Sequence, residues 1–297
     1  MAMGEKDIRI GDAIISYRAE EDGIVLTGAR RANGILEIPD VIDGKPVIGI
    51  AKKAFVGLTG LRQVILPASC RYVEEWGFAQ CTGLELFTAH NSRLQLGKGV
   101  FNLCENLQNI CIGTEEKNDL SILLATLACR MEAEYLLTDE GRGSREWYDK
   151  WDKKLAGFLA ESDEDGYMKL ALCGEEDIML NMSQFMEKKR KEKCDLCLIR
   201  LKHRSHLSQE MRDCFVSYLK NLTKGQPTEE AWLALFEDFD GDVSYYEVFA
   251  KVGCVTADNL DAILLDMGQE FAQAKAFLLK YKEAHFEKVD VFAQFAL

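Results

Sequence analysis

One stretch near the start of the chain decides the fold, and it reads Ile50-Ala-Lys-Lys-Ala-Phe-Val-Gly-Leu-Thr-Gly-Leu-Arg-Gln-Val-Ile-Leu-Pro67. Its pattern of apolar residues returns after 23 residues and again after a second step of 23. The repeated columns are Ile50, Val73 and Leu96; Phe55, Phe78 and Phe101; Leu58, Cys81 and Cys104; Leu61, Leu84 and Leu107; Val64, Phe87 and Ile110; and Leu66, Ala89 and Ile112. Six columns in one register indicate a true internal repeat.

Each repeat combines a short strand with a few helical turns. Leu61 to Leu66 alternates apolar and variable residues, which predicts a strand. The apolar residues before it lie three apart and favour helical turns on the outer side. Because one coil of this length cannot bury its own apolar face, neighbouring coils must stack. The sequence therefore predicts a short right-handed solenoid with parallel strands spaced about 4.8 Å apart.

The repeat resembles the BspA-type leucine-rich repeat, whose unit reads approximately Ile-Gly-x-x-Ala-Phe-x-x-Cys-x-x-Leu-x-x-Ile-x-Ile-Pro. Residues 50–67 agree with this unit at nearly every fixed position, and residues 34–47 resemble the opening coil of such arrays. The resemblance covers roughly residues 13–113. It implies a role in recognising proteins or surfaces. The position of Pro67 is taken by His90 and then Gly113, which indicates that the array ends with the third full unit.

Composition changes after the repeats and predicts a second domain. Residues 1–116 contain 12 basic and 15 acidic residues, whereas residues 117–297 contain 24 and 34. Helix-capping residues precede several amphipathic runs there, among them Ser208 and a Ser244/Glu247 capping box. The last helix pair loosely resembles an ankyrin pair. We therefore predict an α+β multidomain chain, with a leucine-rich-repeat domain over 1–116 and an all-α array of helical hairpins over 117–297.

Charge and cysteine content limit the partners and the compartment. The net charge of −13 disfavours general attraction to nucleic acid or anionic lipid. No apolar stretch approaches the roughly 18 residues that a membrane span needs. The chain starts without a leader-like segment, and its ten cysteines lie mostly in apolar patterns. We expect a bacterial cytoplasmic protein with reduced thiols, or a secreted one only if a leader has been removed.

Three kinds of cluster in the second domain have some of the features of functional sites: a cysteine–histidine cluster, two acidic loops and a basic run. Cys194-x-x-Cys197 precedes His203 and His206, but a zinc finger needs about 12 residues between its ligand pairs for the chain to fold back. Residues 236–247 resemble a calcium loop that begins with a phenylalanine, and residues 161–166 resemble one that lacks the final acid. We interpret the thiols as core residues and both loops as turns, and we predict no metal and no cofactor.

The third cluster is a basic run on one predicted helix, followed by further basic residues: Lys188, Lys189, Arg190, Lys191, Lys193, Arg200, Lys202 and Arg204. We interpret it as a solvated helix face rather than a nucleic-acid site. The four histidines leave little material for nucleophilic catalysis, and no phosphate loop or nucleophile elbow is present. We predict that the chain is not an enzyme.

The strands supply the candidate binding residues. Period-two alternation directs six residues outward from the three strands: Gln63, Ile65, Leu86, Thr88, Asn109 and Cys111. Ile65, Leu86 and Cys111 form an apolar row, and exposed apolar surface usually marks an interface. We predict a non-enzymatic interaction protein that binds a protein partner through this face, with coverage by the chain's own helical domain left open. The alternative is a zinc- or calcium-dependent regulator, or an enzyme, with its site in the helical domain.

Overall fold

The computed structural model describes residues 4–131, 133–168, 181–239 and 241–286. The chain divides into two compact units, Met1–Trp151 and Asp152–Leu297. The first contains the strands and the second contains helices. This arrangement confirms the predicted fold class, a repeat solenoid followed by a helical array.

The first unit is built from two sheets that line opposite sides of the stacked coils. One sheet follows the order β1-β2-β3-β6-β8-β10, with β5 paired to β6. Its strands are β1 (Lys6–Ile10), β2 (Ala13–Ala19), β3 (Ile24–Arg30), β5 (Val41–Ile42), β6 (Lys45–Ile50), β8 (Tyr72–Val73) and β10 (Gln95–Leu96). The second sheet has the order β11-β9-β7-β4. Its strands are β4 (Gly34–Glu37), β7 (Leu61–Leu66), β9 (Leu86–Ala89) and β11 (Asn109–Ile112).

The register of the second sheet confirms the repeat. Its strands are parallel, and Gln63 pairs with Leu86, which pairs with Asn109, each 23 residues further along. In the first sheet only the β1–β2–β3 meander and the β5–β6 pair are antiparallel. The period of the sequence is therefore one complete coil of the solenoid.

Aromatic rings and thiols fill the core between the sheets. Phe78 is fully buried, with its ring centroid 5.2 Å from that of Phe55 and 6.3 Å from that of Phe101. The Cys81 thiol donates to the carbonyl of Phe55 at 3.0 Å, and the Cys104 thiol donates to that of Phe78 at 3.1 Å. Burial raises the pKa of Cys81 to about 11. These thiols are structural, and each connects its coil to the preceding one.

Each coil turns at two corners where the backbone is left-handed. One corner is occupied by Lys53, Trp76 and Gly99, and the other by Gly57, Gln80 and Leu103, all with φ between 58° and 73°. Residues other than glycine rarely adopt this backbone conformation. Their recurrence at the repeat period shows that the stacked coils impose the corner geometry on them.

Two short helices close the last coil. Helix α1 (Asp119–Arg130) begins at Asn118, whose side chain accepts from the Ser121 amide while the Ser121 hydroxyl accepts in return. The helix packs on β11 and ends with the Cys129 thiol donating to the carbonyl of Cys104 at 3.2 Å. In α2 (Glu134–Leu137), the Glu134 carboxylate accepts from the Gly99 amide. Compositional change marks the end of the repeats near residue 116, whereas the first compact unit continues to Trp151 because α1 completes its core.

The second unit consists of short packed helices. Helix α3 (Arg145–Ala160) leads into it from the first unit. The others are α4 (Met182–Lys202), α5 (Gln209–Lys220), α6 (Glu230–Asp238), α7 (Val243–Lys251), α8 (Leu260–Asp266) and α9 (Ala272–His285), with a 3-10 turn at Gln269–Phe271. Their core includes the buried rings of Phe215, Trp232, Tyr246 and Phe249.

The capping residues of this unit agree with the sequence in one case and differ in another. Ser208 caps α5 as predicted and accepts from the Met211 amide. The predicted Ser244/Glu247 box is wrong, because Asp242 caps α7 and accepts from both the amide and the hydroxyl of Ser244. Glu247 instead pairs with Lys251 at 2.9 Å.

Candidate protein-interaction surface

The outward side of the second sheet carries two rows of side chains. The register places Ile35, Gln63, Leu86 and Asn109 in one row. The other row contains Glu37, Ile65, Thr88 and Cys111. The rows contain all six predicted binding residues, and β4 adds Ile35 and Glu37 to them. The predicted apolar row of Ile65, Leu86 and Cys111 is wrong, because Leu86 lies in the first row and the other two lie in the second. The sequence identifies residues 34–47 as an opening coil, but this coil lies outside the 23-residue register from which the outward residues are predicted.

Exposure falls steeply along these rows. Ile35 is 67% exposed, and Gln63, Ile65 and Leu86 are half-buried. Thr88, Asn109 and Cys111 are only 4%, 7% and 1% exposed. The face is therefore open over β4, β7 and the start of β9, and covered from the end of β9 onward.

The covering comes from α1 and the loop that leads into it. The Ser121 hydroxyl donates to the side-chain oxygen of Asn109 at 2.9 Å, and the Cys111 thiol lies 3.7 Å from the carbonyl of Glu116. Burial raises the pKa of Cys111. The expectation that Thr88, Asn109 and Cys111 face a partner is corrected here, because the chain's own residues bury them. We call the accessible residues Ile35, Glu37, Gln63, Ile65 and Leu86 the open strand face.

Charged side chains beside the open strand face are paired with each other. Arg62 lies 3.6 Å from Glu85 on the next strand and also donates to the carbonyl of Gly83. His90 and Glu115 form a second contact at 3.6 Å. Exposed pairs of this kind contribute little to stability. They leave the rim with mixed charge, whereas the face itself combines the apolar Ile35, Ile65 and Leu86 with the polar Gln63 and Glu37.

The cysteine–histidine cluster of the second unit is dispersed in the structure. Cys194 and Cys197 are fully buried in α4, and burial raises the pKa of both thiols well above the usual range. His203 caps the end of the same helix, and its carbonyl accepts from Arg200. Among the residues that the structure describes, no three His, Cys, Asp or Glu side chains are grouped to hold a metal ion.

This arrangement predicts that stability is independent of metal. We expect the melting temperature of the full chain to change by less than about 1 °C when a strong chelator is added, because no ligand shell among the described residues links metal binding to folding. Differential scanning calorimetry with and without chelator measures the change. A fall of several degrees, restored by added zinc or calcium, would contradict the prediction.

Lysine side chains bind the turn at residues 161–166, the shorter of the two loops that resemble calcium sites. The Lys193 ammonium lies 2.7 Å from the carbonyl of Glu161 and 2.7 Å from the carboxylate of Asp163. The Lys189 ammonium donates to the carbonyls of Ser162 and Asp165 at 2.8 and 2.9 Å. The oxygens that resemble calcium ligands thus bind the protein's own ammonium groups.

Lysine side chains also pair with the other calcium-like loop, residues 236–247. Lys191 lies 3.0 Å from the Asp238 carboxylate, and Lys202 lies 3.0 Å from that of Asp242. Asp240, which the calcium-loop comparison includes, lies outside the described residues. The described carboxylates of this turn serve as ion-pair partners and as a helix cap.

The basic run is buried and paired, so its interpretation as a solvated face is wrong for its central residues. Lys189 is 8% exposed and Lys193 is 1% exposed. Arg190 pairs with the buried Glu230 at 2.6 Å. The Lys193 ammonium also lies 5.5 Å from the centre of the Phe158 ring. These cations join α4 to α6 and to the turn after α3.

Comparison with known proteins agrees with the repeat architecture. Residues 37–121 match the family model described as the BspA type leucine rich repeat region, six copies. This segment is therefore a BspA-type leucine-rich repeat region, which confirms the resemblance drawn from the sequence. Leucine-rich repeat proteins are generally protein-interaction modules. No described helix is both long and apolar enough to span a membrane.

This chain is similar to several solved structures of bacterial leucine-rich repeat proteins. TpLRR of T. pallidum is 29% identical over 36% of this chain and 50% of its own, with a TM-score of 0.33. A protein from Bacteroides capillosus is 22% identical over 39% of this chain and 91% of its own, with a TM-score of 0.31. One from Bacteroides ovatus is 20% identical over 42% and 34%, with a TM-score of 0.33. The match spans half of TpLRR, and no curated protein matches this chain.

Proposed function

We propose that this chain is a non-enzymatic protein-interaction module that binds a protein partner through the open strand face. The observation that carries the proposal is the pair Ile65 and Leu86, two apolar side chains that point outward from neighbouring strands. In the first unit, α1 and its preceding loop cover the far end of the same face and leave this pair accessible. Apolar groups at the centre of a patch with a polar rim are typical of protein interfaces.

The partner is expected in a reducing compartment. The nine described cysteines are all free thiols, and most of them are buried. Free thiols in a core favour a compartment in which disulfides do not form. This supports the proposal of a bacterial cytoplasmic location.

Charge reversal of the apolar pair tests the proposed surface. Changing Ile65→Lys and Leu86→Lys together should weaken partner binding at least about tenfold, because two cations would be desolvated at the interface. The matched control is Leu265→Lys with Leu279→Lys, which alters two exposed leucines of the second unit and makes the same change in net charge. Affinity capture from the native cell, quantified by mass spectrometry, compares the three chains at equal folded concentration.

The outcome separates the surface from nonspecific effects. The proposal requires that a protein retained by the unaltered chain and by the control pair is lost with the Ile65/Leu86 pair. Equal retention by all three folded chains would contradict it.

A further inference from the structure

The two edge strands of the second sheet differ in what lies beside them. At one end, α1 packs on β11. At the other end is β4, and within the described residues no strand pairs with its outer edge. An unpaired strand edge presents backbone donors and acceptors to a new strand.

The free backbone groups of β4 can be assigned to particular residues. The amide of Gly34 donates to the carbonyl of Gly60, and that of Ile38 donates to the carbonyl of Ile65, both at 2.9 Å toward β7. Because backbone groups alternate in direction along a strand, those of Ile35 and Glu37 point away from β7. The edge therefore offers two amides and two carbonyls, spaced two residues apart.

A groove lies beside this edge. Its volume is about 600 Å³, and its lining combines the apolar Ile8, Ile10, Ile35 and Val41 with the charged Arg9 and Glu37. Ile35 and Val41 are 67% and 54% exposed, which makes them the two most exposed large aliphatic side chains described in the first unit. The groove thus combines a row of free backbone groups with a lining of four aliphatic side chains and two charged ones.

We propose that this groove, the β4 edge groove, binds an extended peptide segment of a partner protein as an added strand. Only an extended backbone presents donors and acceptors at the two-residue spacing that Ile35 and Glu37 offer. The backbone amides and carbonyls of a helix are already hydrogen-bonded to each other. Alternate side chains of the segment face Ile8, Ile10 and Val41, so the segment carries small apolar residues at every second position. Backbone hydrogen bonds supply most of the affinity, so the residue types at the intervening positions of the segment can vary.

The β4 edge groove is separate from the surface of the proposed function, which reads side chains on the face of the sheet. Ile35 and Glu37 contribute to both, because their side chains lie in the rows of the face and their backbone groups form the edge. The difference between Glu37→Pro and Glu37→Ala therefore tests the groove alone, because both variants remove the same carboxylate, and the Ile65/Leu86 variant tests the face alone.

A proline at Glu37 provides the sharpest test. Glu37→Pro removes an amide hydrogen that points away from β7, and the preceding Leu36 is in a strand, which is the conformation that a following proline favours. The matched control is Glu37→Ala, which loses the same carboxylate and keeps the amide. The probe is the fluorescein-labelled peptide Val-Thr-Val-Thr-Val, titrated with the full chain and followed by fluorescence anisotropy.

We expect saturable binding of the probe, with Kd raised about tenfold by Glu37→Pro and changed less than about threefold by Glu37→Ala. Hydrogen exchange should slow across residues 34–38 when the probe is bound. The same peptide N-methylated at every residue should not bind to the unaltered chain, and this arm holds even if Glu37→Pro fails to fold.

Four results would overturn the proposal: no saturable binding up to millimolar probe, equal weakening by both Glu37 variants, unchanged binding of the N-methylated peptide, or slowed exchange elsewhere but not at residues 34–38. Self-association of the full chain that Glu37→Pro abolishes would assign the groove to a second copy instead, and sedimentation velocity detects it.

Discussion

Replacing Phe78 by alanine is expected to lower the free energy of unfolding of the first unit by about 3–5 kcal/mol. The side chain is fully buried, and its ring centroid lies 5.2 to 6.3 Å from those of Phe55, Phe87 and Phe101. These neighbours belong to three successive coils. Truncation removes the transfer free energy of the ring and leaves a cavity that rigid stacked coils cannot close.

Urea denaturation of the full chain, followed by far-UV circular dichroism, measures the loss. Phe78→Leu is the graded control, because it keeps most of the side-chain volume and should cost less than half as much as Phe78→Ala. A loss below about 1 kcal/mol for Phe78→Ala would mean that the phenylalanine column does not lie between the coils. The 23-residue register would then be wrong.

The second large effect is expected in the helical unit, where Asp152 and Arg200 form a buried ion pair. The guanidinium Nε lies 2.5 Å from one carboxylate oxygen and Nη2 lies 3.1 Å from the other, and neither residue is more than 1% exposed. Arg200 also donates to the carbonyls of His203 and Ser205. The pair fixes the start of this unit on α4.

Changing Asp152→Ala should lower the free energy of unfolding of the second unit by about 3–5 kcal/mol, since it leaves a buried guanidinium without its counter-charge. Adding Arg200→Met to that variant should cost less than about 1 kcal/mol more, because the uncompensated charge is removed with the side chain. Denaturant titrations of the two single variants and the double variant measure the coupling. Additive losses would contradict the assignment of a coupled pair.

The repeat domain is predictable from the sequence because its core is periodic. Each coil places the same residue types at the same depth, so Phe55 and Phe78 in the sequence already identify neighbours in space. The period also predicts which side chains point outward from the strands, and the register places these residues in two rows. What the period does not encode is the element that follows the last coil.

That element explains why two of the predicted binding residues are buried. Asn109 and Cys111 are covered by α1 and its leading loop, and this contact is non-local and occurs once, so no repetition in the sequence indicates it. A signal is present in Asn118 and Ser121, which form a reciprocal cap only three residues apart. Reading that cap places a helix start directly after β11, in position to cover it.

The burial of the α4 lysines is not predictable from the sequence for a different reason. A run of basic residues on a helix usually faces solvent, but Lys189 and Lys193 lie four apart on the same helix face and meet the carbonyls after α3. Their partners are mostly backbone oxygens, which every sequence contains. Only the tertiary structure shows that these oxygens converge on the two ammonium groups.

The central claim, that the open strand face binds a protein, is tested most directly by titrating the purified captured partner against the chain. Isothermal titration calorimetry should show binding to the unaltered chain and to the Leu265→Lys, Leu279→Lys control with the same Kd. The Ile65→Lys, Leu86→Lys chain should bind at least about tenfold more weakly, while its melting temperature stays close to that of the control. Equal Kd values for all three folded chains would contradict the claim.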